Sequence, residues 1–214
     1  MTLPDLQDQS NYTRLSWGIV FAGGIVQTVR LVLAHTNSVR WVLVTVSLLA
    51  VAAMWLPAGW SPAFWLAGAF QAPSLLTCML VGAFICQKLS GWPDLRLGQH
   101  WVQSITFLVI SLVVGVSTFG LIKPDLYAFG LQPWFAAAIA SALVGVWWLA
   151  GVRGSVWPIA TGLAAMLFGI TKLPTGNAWD ALLDPFVAAF SVGSLVLGGM
   201  RIVRRRERAE QDPL

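Results

Sequence analysis

The chain has 214 residues, of which 57% are hydrophobic and 10% charged; an ordinary soluble domain is roughly 45–50% apolar and about 25% charged. Its 13 basic and 9 acidic residues are too few to clothe apolar runs this frequent, so the composition excludes a water-soluble globule and makes lipid the solvent. The net charge of +4 is concentrated in Arg201, Arg204, Arg205, Arg206 and Arg208, and such a cluster after an apolar helix marks a cytoplasmic flank or an anionic-lipid contact rather than a nucleic-acid site.

The first 14 residues are polar and carry Asp5 and Asp8. A cleavable signal would be basic and then apolar at that place, so the first apolar stretch is expected to be retained as a span. Cutting the chain at charges and at Gly/Pro/Asn clusters predicts an all-α, polytopic transmembrane bundle of seven helices. They run Leu15 to Ala34, Val39 to Leu56, Ala63 to Leu89, Trp101 to Ile122, Leu131 to Ala150, Ser155 to Leu173 and Trp179 to Val203. Barrel strands would alternate with a period of two over about ten residues, and these segments do not. The sixth has the poorest helix propensity, because it contains Pro158, Gly162 and Gly169. Residues 204–214 form a tail that is basic and then acidic, through Glu207, Glu210 and Asp212.

Tryptophan placement agrees with this division. Indole prefers the headgroup boundary, and Trp17, Trp41, Trp60, Trp65, Trp101, Trp134, Trp147, Trp148, Trp157 and Trp179 fall near segment ends, where anchoring is their expected role. Orientation follows from the basic residues. With the N-terminus outside and the C-terminus cytoplasmic, Arg30, Arg40, Lys88, Arg96, Arg153 and the five tail arginines face the cytoplasm, against Arg14, Lys123 and Lys172 outside. The expected address is a cell membrane, of the bacterial inner-membrane type.

An offset of 116 to 117 residues lays the first three segments on the last three. Trp41 then meets Trp157, and Leu56-Pro57-Ala58-Gly59 meets Leu173-Pro174-Thr175-Gly176, a helix-ending turn in both halves. The resulting 3+1+3 arrangement gives two three-helix units of like orientation, one of the symmetric plans of secondary transporters.

Polar groups in hydrocarbon are costly, so each is a candidate for function. Gln71 precedes Pro73 in the third segment, and Asp184 precedes Pro185 in the seventh with Asp180 one turn earlier. Under the repeat these are corresponding helices, and polar groups beside proline breaks at a repeat interface are what a solute site would look like. A static role stands beside that one. Asp180 would favour the positive end of its helix, capped by Asn177 or Thr175, and Asp184 would pair with Lys172 or Lys123. Gln27 and Arg30 share a face of the first helix, with His35 beyond, where Arg30 either snorkels or meets an anion. Hydroxyls such as Thr106, Ser117, Thr118 and Ser191 are expected to bond between helices, and Gly145, Gly193, Gly198 and Gly199 to admit close helix approach.

Catalytic motifs are missing. No phosphate loop or HExxH occurs, and no lysine stands in the last helix for a retinal. Two histidines and two cysteines do not make a haem or zinc site, so no cofactor or metal is expected. Cys78 and Cys86, two turns apart on one helix, cannot form a disulfide and are read as buried apolar fillers. The function expected from these residues is a permease or facilitator for a small polar or amphipathic solute bound between the two units, with membrane lipid and either a protein partner or a second copy as its neighbours. The alternatives are a non-catalytic membrane subunit that scaffolds a larger complex, and a lipid-modifying enzyme using Arg30, His35 and Asp184.

Overall fold

The computed structural model describes residues 3–32, 39–57, 59–90, 100–132, 134–152 and 154–211. His35, Trp92, Arg96 and Arg153 lie outside the described residues. Every regular element among the described residues is a helix. In chain order these are α1 Leu6–Val32, α2 Val39–Ala53, α3 Pro62–Ala69, α4 Leu75–Ser90, α5 Trp101–Thr118, α6 Leu126–Phe129, α7 Phe135–Leu149, α8 Trp157–Thr171, α9 Ala178–Leu182 and α10 Pro185–Gln211. Three are long and apolar enough to cross a membrane: α1, α5 and the Pro185–Val203 part of α10. The apolar stretches Arg40–Ala53, Leu75–Leu89, Phe135–Leu149 and Trp157–Thr171 are shorter.

Both ends of the chain are more helical than the composition suggests. Helix α1 starts at Leu6 rather than Leu15. Asp8 lies in its first turn, where a carboxylate favours the positive end of the helix, and Gln9 reaches back to the Pro4 carbonyl at 2.9 Å. At the other end α10 continues to Gln211, so residues 204–211 prolong the helix.

Two of the predicted spans are interrupted. The third divides into α3 and α4 around residues 70–74, where Phe70 is extended at φ −137° and ψ 153° and Pro73 supplies no N–H to a continuing helix. The seventh divides into α9 and α10 at Leu183 and Asp184. Leu183 is extended at φ −122° and ψ 134°, and Pro185 occupies the first position of α10, which its ring favours.

Helix α8 lies at the centre, packed on α4, α7 and α9. Its Ala160, Ala164, Ala165 and Phe168 are buried, the alanines giving neighbouring helices room to approach. Phe107 of α5 closes the core between Trp147 and Trp157, at ring separations of 5.4 and 5.3 Å. Those two tryptophans, with Trp17 and Trp179, are buried. The anchoring role expected of every end-lying tryptophan therefore fails for these four, whose rings are enclosed by the protein; Trp41, Trp60, Trp65, Trp101, Trp134 and Trp148 remain exposed.

Helix α1 packs on α2, α3 and α4, while α10 packs mainly on α5. The two halves thus share their broken third helix but not its packing, since α4 returns to α1 and α10 goes to the intervening α5. Close approach occurs at Gly18, where an added Cβ would come within 3.2 Å of the Val51 backbone, and at Gly23, where it would collide with the Val81 side chain. Gly145, Gly193, Gly198 and Gly199 have open space instead, which corrects the expectation placed on them. Cys86 is exposed rather than a buried filler, while Cys78 is buried. The hydroxyls of Thr106, Thr118 and Ser191 bond to carbonyls of their own helices rather than across helices.

Candidate functional site

The two helix breaks meet. Asp184 Oδ1 accepts the N–H of Val187 at 2.7 Å, the bond of an N-cap to the first turn of its own helix α10. Its Oδ2 accepts the N–H of Ser74 at 2.7 Å, across 110 residues of sequence. Ser74 caps α4 in turn, its Oγ accepting the Thr77 N–H at 3.1 Å. One carboxylate therefore sits at the positive ends of two helices, satisfying donors from both, and a charged acceptor there makes stronger bonds than a neutral one. Both partners are backbone N–H groups, so Asp184 serves as a clasp between breaks rather than as the partner of Lys172, whose ammonium lies over the Phe168 ring at 5.1 Å.

Around the clasp lie residues from a third element. The Tyr12 hydroxyl of α1 donates to the Pro73 carbonyl, which lies just ahead of the Ser74 cap of α4, and stands 4.0 Å from Cys78 Sγ. Trp17, one and a half turns further along α1, packs edge-on against Phe186 at 5.6 Å and against Phe70 at 6.3 Å, and so touches the residues beside both breaks. Helix α1 thus ties the two interruptions together.

A cavity of about 380 Å³ opens next to this junction. Its walls come from α1 (Val20, Gly23, Gly24), α4 (Thr77, Leu80, Val81, Phe84), α8 (Trp157) and α10 (Phe186, Val187, Phe190). The four α4 residues follow at helical spacing along one face. A second groove, of about 460 Å³, shares Val20, Gly24 and Phe186 with the first and continues over the exposed side of α1 past Trp17, Phe21 and Thr28. Neither Asp184 nor Gln71 lines either space. The clasp marks one end of the cavity, next to Thr77, and the body of the cavity is apolar.

The other predicted residues fall elsewhere. Gln71 is exposed in the segment between α3 and α4, three residues before the Ser74 that Asp184 holds. Asp180 belongs to a separate cluster: its Oδ2 accepts the Tyr127 hydroxyl at 2.7 Å and the Thr175 hydroxyl. Asn177 caps α9 through the Trp179 N–H at 2.9 Å and donates to the Tyr127 carbonyl at 3.0 Å, as a static role for this segment requires. Trp179 Nε1 donates to the Leu126 carbonyl at 2.9 Å, and Gly130 leaves room for Asn177 that any side chain would fill. Burial, and secondly the bond to Asp180, push the Tyr127 hydroxyl above its ordinary range.

At the opposite end of α4, Arg30 Nη2 donates to the Lys88 carbonyl at 2.9 Å, where a cation suits the negative end of a helix. Gln27 is exposed on the same stretch of α1. Fourteen residues of α4 separate Lys88 from Ser74, about 21 Å of helix, so Arg30 and Asp184 do not share a site. That separation leaves the enzyme alternative without a common centre for its acids and bases.

Tyr12, Ser74 and Thr77 were not singled out by the sequence reading. Ser74 had a legible signal, a capping residue directly after a proline and before an apolar run. Tyr12 had none, since it lies in a polar stretch, and Thr77 is one hydroxyl within an ordinary apolar helix. No family model matches the chain, and neither a curated protein nor a solved structure shows significant similarity to it.

Proposed function

We propose that the chain is a seven-span permease or facilitator of a bacterial-type inner membrane, with its N-terminus outside and its basic tail in the cytoplasm, and that it takes a small amphipathic solute between its two three-helix units. In this reading α1, α2 and the α3–α4 pair form one unit, α7, α8 and the α9–α10 pair the other, and α5 joins them. One observation carries the proposal: the cavity has walls from both units and lies against the two interrupted helices. Interrupted helices at a repeat interface are where secondary transporters bind their solutes. The Asp184–Ser74 bond fastens α10 to α4 at the end of the cavity, so releasing it frees the units to part there.

Liposome reconstitution tests this. The purified chain carries solutes down a gradient across the bilayer, and Asp184→Asn, which keeps the size of the side chain and removes its charge, reduces flux at least tenfold while the protein still folds. Unchanged flux with a merely lower melting midpoint overturns the transport role of the clasp. The scaffold-subunit reading is favoured by a different observation. Val192, Val196, Leu197, Met200, Ile202 and Val203 of α10 are all largely exposed, leaving that helix a long apolar surface for lipid, a partner chain or a second copy. Co-purification of one constant partner with no flux of any solute would decide for that reading.

A further inference from the structure

Helices α1 and α4 run side by side in the same direction. Gly23 meets Val81, and seven residues further along each helix Arg30 Nη2 donates to the Lys88 carbonyl at 2.9 Å. Lys88 follows Phe84 by one turn, on the face of α4 that walls the cavity, and its ammonium lies over the Phe84 ring at 5.7 Å. Two cations therefore stand at the end of the cavity away from the Asp184 clasp. Arg30 is exposed, and among the described residues its guanidinium makes only the bond to Lys88, which leaves further N–H donors free. The described residues of these two helices include one carboxylate, Asp8, roughly 33 Å from Arg30 along α1.

What runs from those cations into the protein is hydrocarbon surface. Aliphatic residues, glycines and aromatic rings make the walls, and the two threonines there do not offer their hydroxyls: Thr77 Oγ1 is buried, and Thr28 Oγ1 is turned to the Gly24 carbonyl at 2.9 Å. The cavity and the groove over α1 lie side by side, joined at Val20, Gly24 and Phe186. From Lys88 back to Thr77 the cavity side measures about 17 Å of helix, and from Val29 back to Trp17 the groove measures about 18 Å. Each is close to one leaflet's half of a hydrocarbon core roughly 30 Å thick. Two apolar troughs of leaflet depth, with cations at one shared end, have the form of a two-chain lipid with a negative headgroup. We infer that this face binds one anionic diacyl phospholipid, with its phosphate on Arg30 and Lys88, one acyl chain in the cavity between α1, α4 and α10, and the other in the groove over α1. A zwitterionic lipid brings a second, positive group to the same two cations and is held less well. The inference stands beside the proposed function: it names the occupant of the cavity at rest, which a solute in transit displaces.

Retention of lipid by the full chain in detergent tests this, read by native mass spectrometry and by the shift in melting midpoint. The probes are dioleoyl phosphatidylglycerol, which is anionic, dioleoyl phosphatidylcholine, which has the same chains and no net charge, and glycerol 3-phosphate, a headgroup without chains. One phosphatidylglycerol per chain is expected to be retained, at least about tenfold more tightly than phosphatidylcholine, the share of one charge-assisted hydrogen bond. Glycerol 3-phosphate in excess should not displace it. Replacing both cations, Arg30→Gln with Lys88→Gln, lowers phosphatidylglycerol to the level of phosphatidylcholine, and the glutamine at position 30 keeps a donor for the carbonyl of residue 88. Gly24→Phe tests the chain seat with every charge in place. An added Cβ there meets nothing within 4 Å, so the ring has room to enter the space that cavity and groove share. It should abolish the retained lipid at an unchanged lipid-free midpoint.

Equal retention of the two lipids overturns the inference, as does a double variant that keeps the preference. Phosphatidylglycerol that stays bound in Gly24→Phe, or that glycerol 3-phosphate displaces, marks a basic helix end that attracts any phosphate and overturns it too. Failure here is distinguishable from failure of transport. A parent chain that carries solutes but retains no phosphatidylglycerol sinks the lipid site and leaves the permease, while a retained phosphatidylglycerol without flux of any solute does the reverse.

Discussion

Asp184 holds two helix ends at once, with backbone N–H partners where the sequence offered a solute contact or a lysine. A carboxylate before a proline at the start of a helix caps its own first turn, and that much follows from Asp-Pro alone. Its second oxygen on Ser74 belongs to the tertiary structure. Tyr12 is the simpler residue to probe, since Tyr12→Phe deletes only the hydroxyl that the Pro73 carbonyl receives and keeps the ring. A loss of about 1 to 3 kcal/mol is expected, the range for leaving a buried acceptor unpaired, measured by reversible unfolding in mixed micelles. At Tyr127 the effect depends on pH. The folded state holds the phenolic proton more tightly than the unfolded chain, whose hydroxyl titrates near 10. The stabilisation is therefore whole below about pH 10 and declines as the pH rises above it, because only the unfolded state then gains by ionising. A melting midpoint that falls above about pH 10 in the parent chain, and falls less in Tyr127→Phe, is the expected pair of curves; identical curves would remove Tyr127 as the cause.

At the scale of elements, helix contacts discriminate among the described glycines in a way that composition cannot. Gly23 lets α1 lie against Val81 of α4, so Gly23→Val overfills that crossing. Such overpacking costs typically about 1–3 kcal/mol, and here it should also spoil the cavity that these helices line. Gly193→Val on the open side of α10 is expected to change stability by less than about 0.5 kcal/mol, because nothing lies within 4 Å of the position. Equal damage from both would show that α10 is covered in the membrane. The third and seventh segments were each taken as one span although a proline break was noted in both, and each divides into two helices. Apolarity persists through a break, since Phe70, Ala72 and Leu183 are as oily as their neighbours, and only Pro73 and Pro185 announce it.

For the whole molecule, the all-helical class and the membrane address were legible because both are set by bulk properties: the length of apolar runs and the scarcity of charge. Candidate residues were legible where a local rule applied, as with Asp184 beside its proline and Asn177 as a cap. What could not be read was coincidence in space. Ser74, Thr77, Tyr12 and Trp17 acquire their roles only when α1, α4 and α10 come together. The packing of α10 on α5 was equally hidden, because the 3+1+3 pattern would set it beside α7. Orientation remains a separate matter, set by basic residues at the ends. A reporter fused at the N-terminus is expected to read as external and one at the C-terminus as cytoplasmic, and two termini on the same side would overturn the proposed seven spans.

The brevity of the middle helices has a consequence for the surrounding lipid. Helices α2, α7 and α8 have 15 residues each, a rise of about 22 Å, against roughly 30 Å of hydrocarbon in a common bilayer. In the proposed seven-span arrangement such a mismatch draws the leaflets inward around the protein, at a cost of fractions of a kcal/mol for each ångström. Bilayers of 14-carbon acyl chains should therefore hold the protein at a higher melting midpoint than bilayers of 20-carbon chains, and thickness itself becomes a variable to which the molecule responds.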